Sequence, residues 1–211
     1  MTMKPEVWDQ YYVKILDYFG FSREDDEEAA RLLSSILPGN DISLLTDTIS
    51  GSDIIVAGNA PSLPDDIKKT DFEGKIVIAA DAAARVMKKG GVIPNIVFTD
   101  LDGLDDDVLE MNEAGTILAV HAHGDNMPLV KSWVPKMKGP VVGTTQSTPL
   151  ENVYNFGGFS DGDRGVFAAY ELGAKSVSLI GFDLDDKSVD PVKHGKLMIA
   201  RKLLHLLGHD I

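Results

Sequence analysis

The sequence predicts an α/β protein, a mostly parallel sheet flanked by helices and preceded by an N-terminal helical segment. Three observations carry this prediction. From residue 53 onward, short β-branched runs alternate with helical stretches, and that alternation builds parallel sheets. The runs are apolar almost without interruption, as strands buried on both faces are. With 211 residues, 44% of them hydrophobic, the chain is long enough to bury one substantial core.

The elements follow in order. Trp8, Tyr11, Tyr12, Ile15, Leu16 and Phe19 recur at the spacing of one helical face, predicting an amphipathic helix over 5–19. Ser22 with Asp25 three residues later reads as a capping-box start to a second helix, which turns Ala30, Leu33, Ile36 and Leu37 inward and stops at "LPGN" (37–40). Residues 1–50 are therefore expected as a helical segment and 51–211 as the α/β domain. Strands are predicted at 53–57, 75–80, 95–100, 116–121, 140–145 and 176–182, and helices at 81–89, about 104–114, about 125–133, 162–172 and 193–207.

Charge and composition narrow the chemistry. Thirty-three acidic against 20 basic residues give a net charge of −13, which repels nucleic-acid backbones and anionic membranes. Without cysteine there is no thiolate metal site and no cysteine nucleophile. The sequence has neither a long apolar run nor a signal-like N-terminus, so a cytoplasmic location is the expectation. A homo-oligomer is left open.

In a parallel sheet, ligands gather at the carboxyl ends of the strands, so the residues that follow each run form the functional inventory. The first strand leads into Gly58-Asn59-Ala60-Pro61-Ser62, a small-residue loop whose N–H groups suit phosphate but which also reads as an ordinary turn. The second delivers Asp81, either a helix cap or a ligand. The third delivers Asp100 and Asp102, expected in an extended segment with both carboxylates on one side, where a hard cation is held by carboxylates and substrate phosphates. Asp105, Asp106 and Asp107 read as a solvated helix start.

The fourth strand supplies His121, His123, Asp125 and Asn126 in "VHAHGDN". Two histidines at i, i+2 would suit a zinc hydrolase, but the other three histidines, His194, His205 and His209, all lie in the C-terminal tail. Asp125 instead continues the acidic series, which leaves His121 and His123 to support it or to contact phosphate, with a structural role open for His121. Later, Thr144, Thr145 and Gln146 suit a polar heterocycle. In "NFGGFSDGDRG", Phe159 can stack on a flat ring or pack beneath it, and Asp161, Asp163 and Arg164 start a helix that Ser160 or Asp161 is expected to cap.

Taken in this order, "VFTDLDG", "VHAHGDN", "TTQ" and "NFGGFSDGDRG" resemble the archaeal 6-hydroxymethyl-7,8-dihydropterin diphosphokinase family, itself distantly similar to the thiamine diphosphokinase catalytic domain. The resemblance spans roughly residues 50–205. It implies transfer of the diphosphoryl group of ATP to the hydroxymethyl oxygen of a reduced pterin, with AMP released and Mg²⁺ as cofactor, in methanopterin- or folate-type pterin biosynthesis. Asp81, Asp100, Asp102 and Asp125 match the acidic positions associated with metal and phosphate in the wider group. On this reading Gly58, Asn59, Ser62, His121, His123 and Asn126 serve the nucleotide, while Thr144, Thr145, Gln146, Phe159, Asp161, Asp163 and Arg164 serve the acceptor. Thiamine is the rival acceptor; a metal-dependent hydrolase and a non-catalytic nucleotide-binding regulator are the rivals from other classes.

Overall fold

The computed structural model describes residues 4–209; residues 1–3 and 210–211, the outermost ends of the two expected segments, lie outside it. Among the described residues, seven strands form one sheet in which every pairing of strands is parallel. They are β1 (Asp53–Ala57), β2 (Ile76–Ala80), β3 (Ile96–Thr99), β4 (Ile117–Ala122), β5 (Val141–Thr145), β6 (Val153–Tyr154) and β7 (Ser176–Ile180). Their order is β6-β5-β4-β3-β2-β1-β7. The chain therefore steps outward from β1 to β6 and then returns to place β7 against the other side of β1. All the strands end at one edge of the sheet.

Both faces of the sheet are buried, as the uninterrupted apolar runs require. Along β2 and β3, Val77, Ala79 and Val97 enter one core, whereas Ile78, Ile96 and Phe98 enter the other, the two-residue alternation of a strand. On the first face pack α2 (Arg23–Ile36), α4 (Leu63–Lys69), α5 (Ala83–Lys89), α6 (Asp106–Glu113) and α7 (Met127–Trp133). The second holds α3 (Ile42–Ile49), α8 (Asp161–Glu171) and α9 (Pro191–Leu206). The amphipathic α1 (Pro5–Phe19) buries Trp8, Tyr12, Ile15 and Leu16 in a third cluster with Phe159 and Phe167 of the α8 region and Leu203 of α9. All three N-terminal helices thus contribute to cores built around the sheet.

Gly20 closes α1 with φ 72°, a left-handed conformation that glycine adopts without a Cβ penalty. Ser22 then caps α2, its hydroxyl accepting from the Asp25 N–H at 3.3 Å. Three elements were not foreseen. α3 and α4 span 8 and 7 residues, too short for a full helical period to show in the sequence, and β6 is a two-residue strand. Among the described residues, no helix is long and apolar enough to cross a membrane.

Candidate active site

A cleft of about 500 Å³ opens along the carboxyl ends of the strands. Asp81 and Asp100, which follow the adjacent strands β2 and β3, meet Asp161 at the start of α8, so that one carboxylate oxygen from each lies within 4.8 Å of the others. Asp102 lines the cleft beside them. Three close oxygen donors, with no sulfur and no imidazole among them, fit a hard divalent cation.

The backbone around these acids is tightly specified. Asp81 takes φ 44°, and Ala82, not Asp81, stands at the cap position of α5. The Asp81 carboxylate instead accepts from Thr99 Oγ1 at 2.6 Å, which corrects the capping reading. The segment carrying Asp100 and Asp102 is not extended either. Leu101 between them is left-handed, φ 76°, because its side chain is buried in the core and its N–H donates back to Thr99 Oγ1 at 2.8 Å. Both flanking carboxylates still reach the cleft through this turn. Gly103 is equally constrained: a Cβ there would lie 1.9 Å from Asp81 Oδ2.

The electrostatics are those of crowded acids. Burial, then the charges of Asp100 and Asp81, push the Asp102 carboxyl up to about 6. Burial and then the Asp100 charge hold Asp161 well above the usual carboxylate range, although Arg164 Nη1 donates to it at 3.0 Å. Asp100 goes the other way. Burial opposes its ionisation, yet His123, with Nε2 3.7 Å away, the Arg164 charge and the Asp102 N–H outweigh burial and keep it low.

Other residues singled out from the sequence divide into two groups. Gly58, Asn59, His123, Asp125, Gln146, Phe159 and Arg164 line the cleft with the acids. Asp125 is exposed there and stands outside the close trio. Ser62, His121, Asn126, Thr144, Thr145 and Asp163 do not line it, and most of their polar atoms are engaged in holding the frame, while His121 Nε2 is buried without a hydrogen-bond partner among the described residues. Ser62 Oγ donates to Asp66 at 2.9 Å. Asn126 clamps the acidic turn, its Nδ2 donating to the carbonyls of Asp100 and His121 at 2.7 Å each. His121 Nδ1 meets Thr144 Oγ1 at 3.1 Å. Burial, with Arg164 next, keeps that imidazole neutral. Thr145 Oγ1 accepts from the Ser147 N–H. Asp163, fully buried, caps the approach to α8 by accepting from the N–H groups of Phe159 and Ser160 at 2.7 Å each and from Ser160 Oγ. The glycine loop after β1 also differs from expectation: the Gly58 and Ala60 N–H groups donate to the Ile180 and Gly181 carbonyls, tying β1 to β7 rather than facing a phosphate.

The structure adds residues that the sequence reading missed. Asp26, 3% exposed, accepts from Tyr12 Oη, Gln146 Nε2 and the Gly124 N–H at 2.7, 2.7 and 2.9 Å. Through Gln146 this hub reaches Arg164, whose Nη2 donates to Gln146 Oε1 at 3.3 Å. In sequence Asp26 is one acid in the exposed-looking run "REDDEE", and only its distant partners mark it. Phe182, Lys193 and Lys196 also line the cleft. The helical spacing of the two lysines gave no sign of which way they face.

Comparison with known proteins agrees with this architecture. Residues 28–188 match the family model described as "6-hydroxymethylpterin diphosphokinase MptE-like". Relatives named 6-hydroxymethyl-7,8-dihydropterin pyrophosphokinase are similar over nearly the whole chain. The Methanothermobacter thermautotrophicus protein is 39% identical, covering 99% of this chain and 97% of its own. That of Pyrococcus furiosus is 40% identical, covering 99% and 96%, and that of Methanocaldococcus jannaschii 35%, covering 100% and 98%. Among solved structures, a MAf glycosyltransferase from Magnetospirillum magneticum shares the fold at TM-score 0.50 and 18% identity, over 81% of this chain and 29% of the other. A thiamin pyrophosphokinase from Geobacillus thermodenitrificans aligns at TM-score 0.41 and 17% identity, over 74% and 55%. The α/β fold, the strand-end site and the family match converge: the chain belongs to the 6-hydroxymethylpterin diphosphokinase MptE-like family.

Proposed function

We propose that the chain transfers the diphosphoryl group of ATP to the hydroxymethyl oxygen of 6-hydroxymethyl-7,8-dihydropterin with Mg²⁺, releasing AMP, within methanopterin- or folate-type pterin biosynthesis. The observation that carries this reading is the convergence of Asp81, Asp100 and Asp161 within 4.8 Å at one edge of the sheet. The names of the relatives support the substrate class. In the reaction the bond between the acceptor oxygen and the β-phosphorus forms as the α–β anhydride bond breaks. AMP leaves, and the hydroxyl proton is lost.

Asp81, Asp100 and Asp161 would hold Mg²⁺; burial first and then mutual repulsion raise Asp102 and Asp161, and the repulsion is what a cation relieves. When bound, Mg²⁺ neutralises charge on the phosphate oxygens. The chain's own residues do the remaining work. Arg164, locked by Asp161, Gln146 and the Phe159 carbonyl, presents a fixed positive charge to the cleft. Thr99 and Asn126 fix the acidic turns, so little reorganisation is needed as charge develops. With Asp81, Asp100 and Asp161 committed to the cation, Asp102 and Asp125 are cleft carboxylates left to take the hydroxyl proton. Parallel reactions of purified protein with ATP and Mg²⁺, one with the reduced pterin and one with thiamine, test the proposal by AMP release. Pterin-dependent AMP is expected; release only with thiamine would overturn it.

A further inference from the structure

The cleft is longer than its acidic centre. It runs from the ends of β7 and β1, past Asp81 and Asp100 after β2 and β3, to the ends of β4 and β5. Five interstrand steps at about 4.8 Å make that roughly 24 Å, room for a ring at each end joined over the acids by a phosphate chain.

Lys193 and Lys196 of α9 line the cleft on either side of Gly195, which lies against the Phe19 ring, and neither makes an ion pair with a described residue; Asp183 and Asp186, which follow β7, line the cleft as well. Two uncommitted cations are informative in a chain with 33 acidic and 20 basic residues. They suit a polyanion. At the β4–β5 end the lining is acidic and aromatic: Asp25, Asp26 and Asp125 with Phe21 and Phe159. Three carboxylates repel a triphosphate but accept hydrogen bonds from a neutral heterocycle. Phe21 and Phe159 belong to one apolar wall, both stacked on Phe19 with centroids 5.2 and 5.4 Å away. Asp26 already accepts three hydrogen bonds. Asp25 is exposed, and its carboxylate has no partner among the described residues.

Resting on the diphosphokinase reading above, we propose that the turn between α1 and α2 forms the acceptor subsite. The pterin ring lies on Phe21 and Phe159 with its aminopyrimidinone N–H edge on the Asp25 carboxylate, and the phosphates of the nucleotide extend from the acidic centre toward Lys193 and Lys196. Two adjacent N–H donors match the two oxygens of one carboxylate. The wall is held against the β4 loop by a close approach at Gly124, where a Cβ would lie 2.7 Å from the Asp25 Cβ, and by the Gly124 N–H donating to Asp26. This assignment moves acceptor recognition partly into residues 20–26, ahead of the stretch that matches the family model.

The test is equilibrium binding of 6-hydroxymethylpterin, followed by its own fluorescence, to the full chain with Mg²⁺ and α,β-methylene-ATP, whose scissile position is blocked. Nucleotide affinity is measured in parallel. Asp25→Asn, which sets an amide N–H against the pterin edge, Phe21→Ala and Gly124→Ala are each expected to weaken pterin binding tenfold or more and nucleotide binding less than twofold. Lys193→Gln should do the reverse. Wild-type pterin affinity in both Asp25→Asn and Phe21→Ala, with wild-type binding intact, overturns the subsite alone. A wild-type chain that binds the nucleotide and no pterin overturns the diphosphokinase reading and the subsite with it.

Discussion

Replacing Gly103 by alanine adds one methyl group at the centre of the site. The new Cβ would stand 1.9 Å from Asp81 Oδ2 and 2.8 Å from Asp81 Cγ, so the oxygen must retreat by about 1.1 Å to reach even 3.0 Å. The backbone at 103 is not left-handed, so alanine is tolerated there, and the half-exposed position gives the fold little reason to object. The strain falls on the carboxylate. Asp81 has to turn away from Thr99 Oγ1, losing a 2.6 Å hydrogen bond, and has to leave its place among the three cation donors. A misplacement of about 1 Å in a reacting array costs about 100-fold in rate, or about 2.7 kcal/mol of barrier. Gly103→Ala should therefore melt within about 3 °C of wild type while kcat/KM for pterin-dependent AMP release falls about 100-fold. Thermal unfolding and steady-state kinetics on the same preparation read both. Activity within threefold of wild type would show that Asp81 does not need the position it occupies.

Asp100→Asn should abolish most turnover with a wild-type circular dichroism spectrum, because it removes a cation donor and not a core group; unchanged turnover would refute the cation assignment. Asp163→Ala should cost about 3 kcal/mol in denaturant unfolding, since the buried N–H groups of Phe159 and Ser160 lose their acceptor; a loss under 1 kcal/mol would contradict the capping role. For pH, the folded Asp102 carboxyl at about 6 lies above its ordinary 3.8, so ionised Asp102 opposes folding above pH 6 and the penalty fades as pH falls toward 4. Asp161 is raised for the same reason and acts with the same sign. The stabilisation that Mg²⁺ gives in thermal unfolding should accordingly be larger at pH 7.5 than at pH 5, with Asp102→Asn narrowing the difference; equal stabilisation at both would refute it. Protein purified without added metal should hold no stoichiometric zinc, as the buried, neutral His121 is bonded to Thr144; tightly bound zinc lost in a His121→Ala variant would reverse that reading.

Much of the fold was legible because the sheet is buried on both faces. Runs such as "NIVFT" are apolar without alternation and have no competing helical reading at that length. The order of the strands was not, because β7 joins β1 through contacts made 123 residues apart, such as Ser176 Oγ to Asp53. β7 is an edge strand and is partly exposed, so its pattern resembles the others only weakly. In the site, Asp81, Asp100 and Asp102 were legible as strand-end acids, since a parallel sheet brings all such ends to one edge. Asp161 was legible as a helix-start acid but not as the partner of Asp81 and Asp100: the bend that delivers it runs through Gly158, φ 85°, where a Cβ would meet the Arg164 backbone at 2.7 Å. Asp161 and Asp163 sit two residues apart with opposite tasks, one facing the cleft and one buried beneath Phe159. No spacing rule separates them.

The central claim is that the Asp81, Asp100 and Asp161 site moves a diphosphoryl group as a unit. Phosphorus NMR of a reaction containing ATP, Mg²⁺ and the reduced pterin tests it directly. Equal amounts of AMP and of a pterin product with two coupled phosphorus resonances should accumulate with wild type and not with Asp100→Asn; ADP with a single-phosphorus product, or AMP formed at the same rate without pterin, would contradict it.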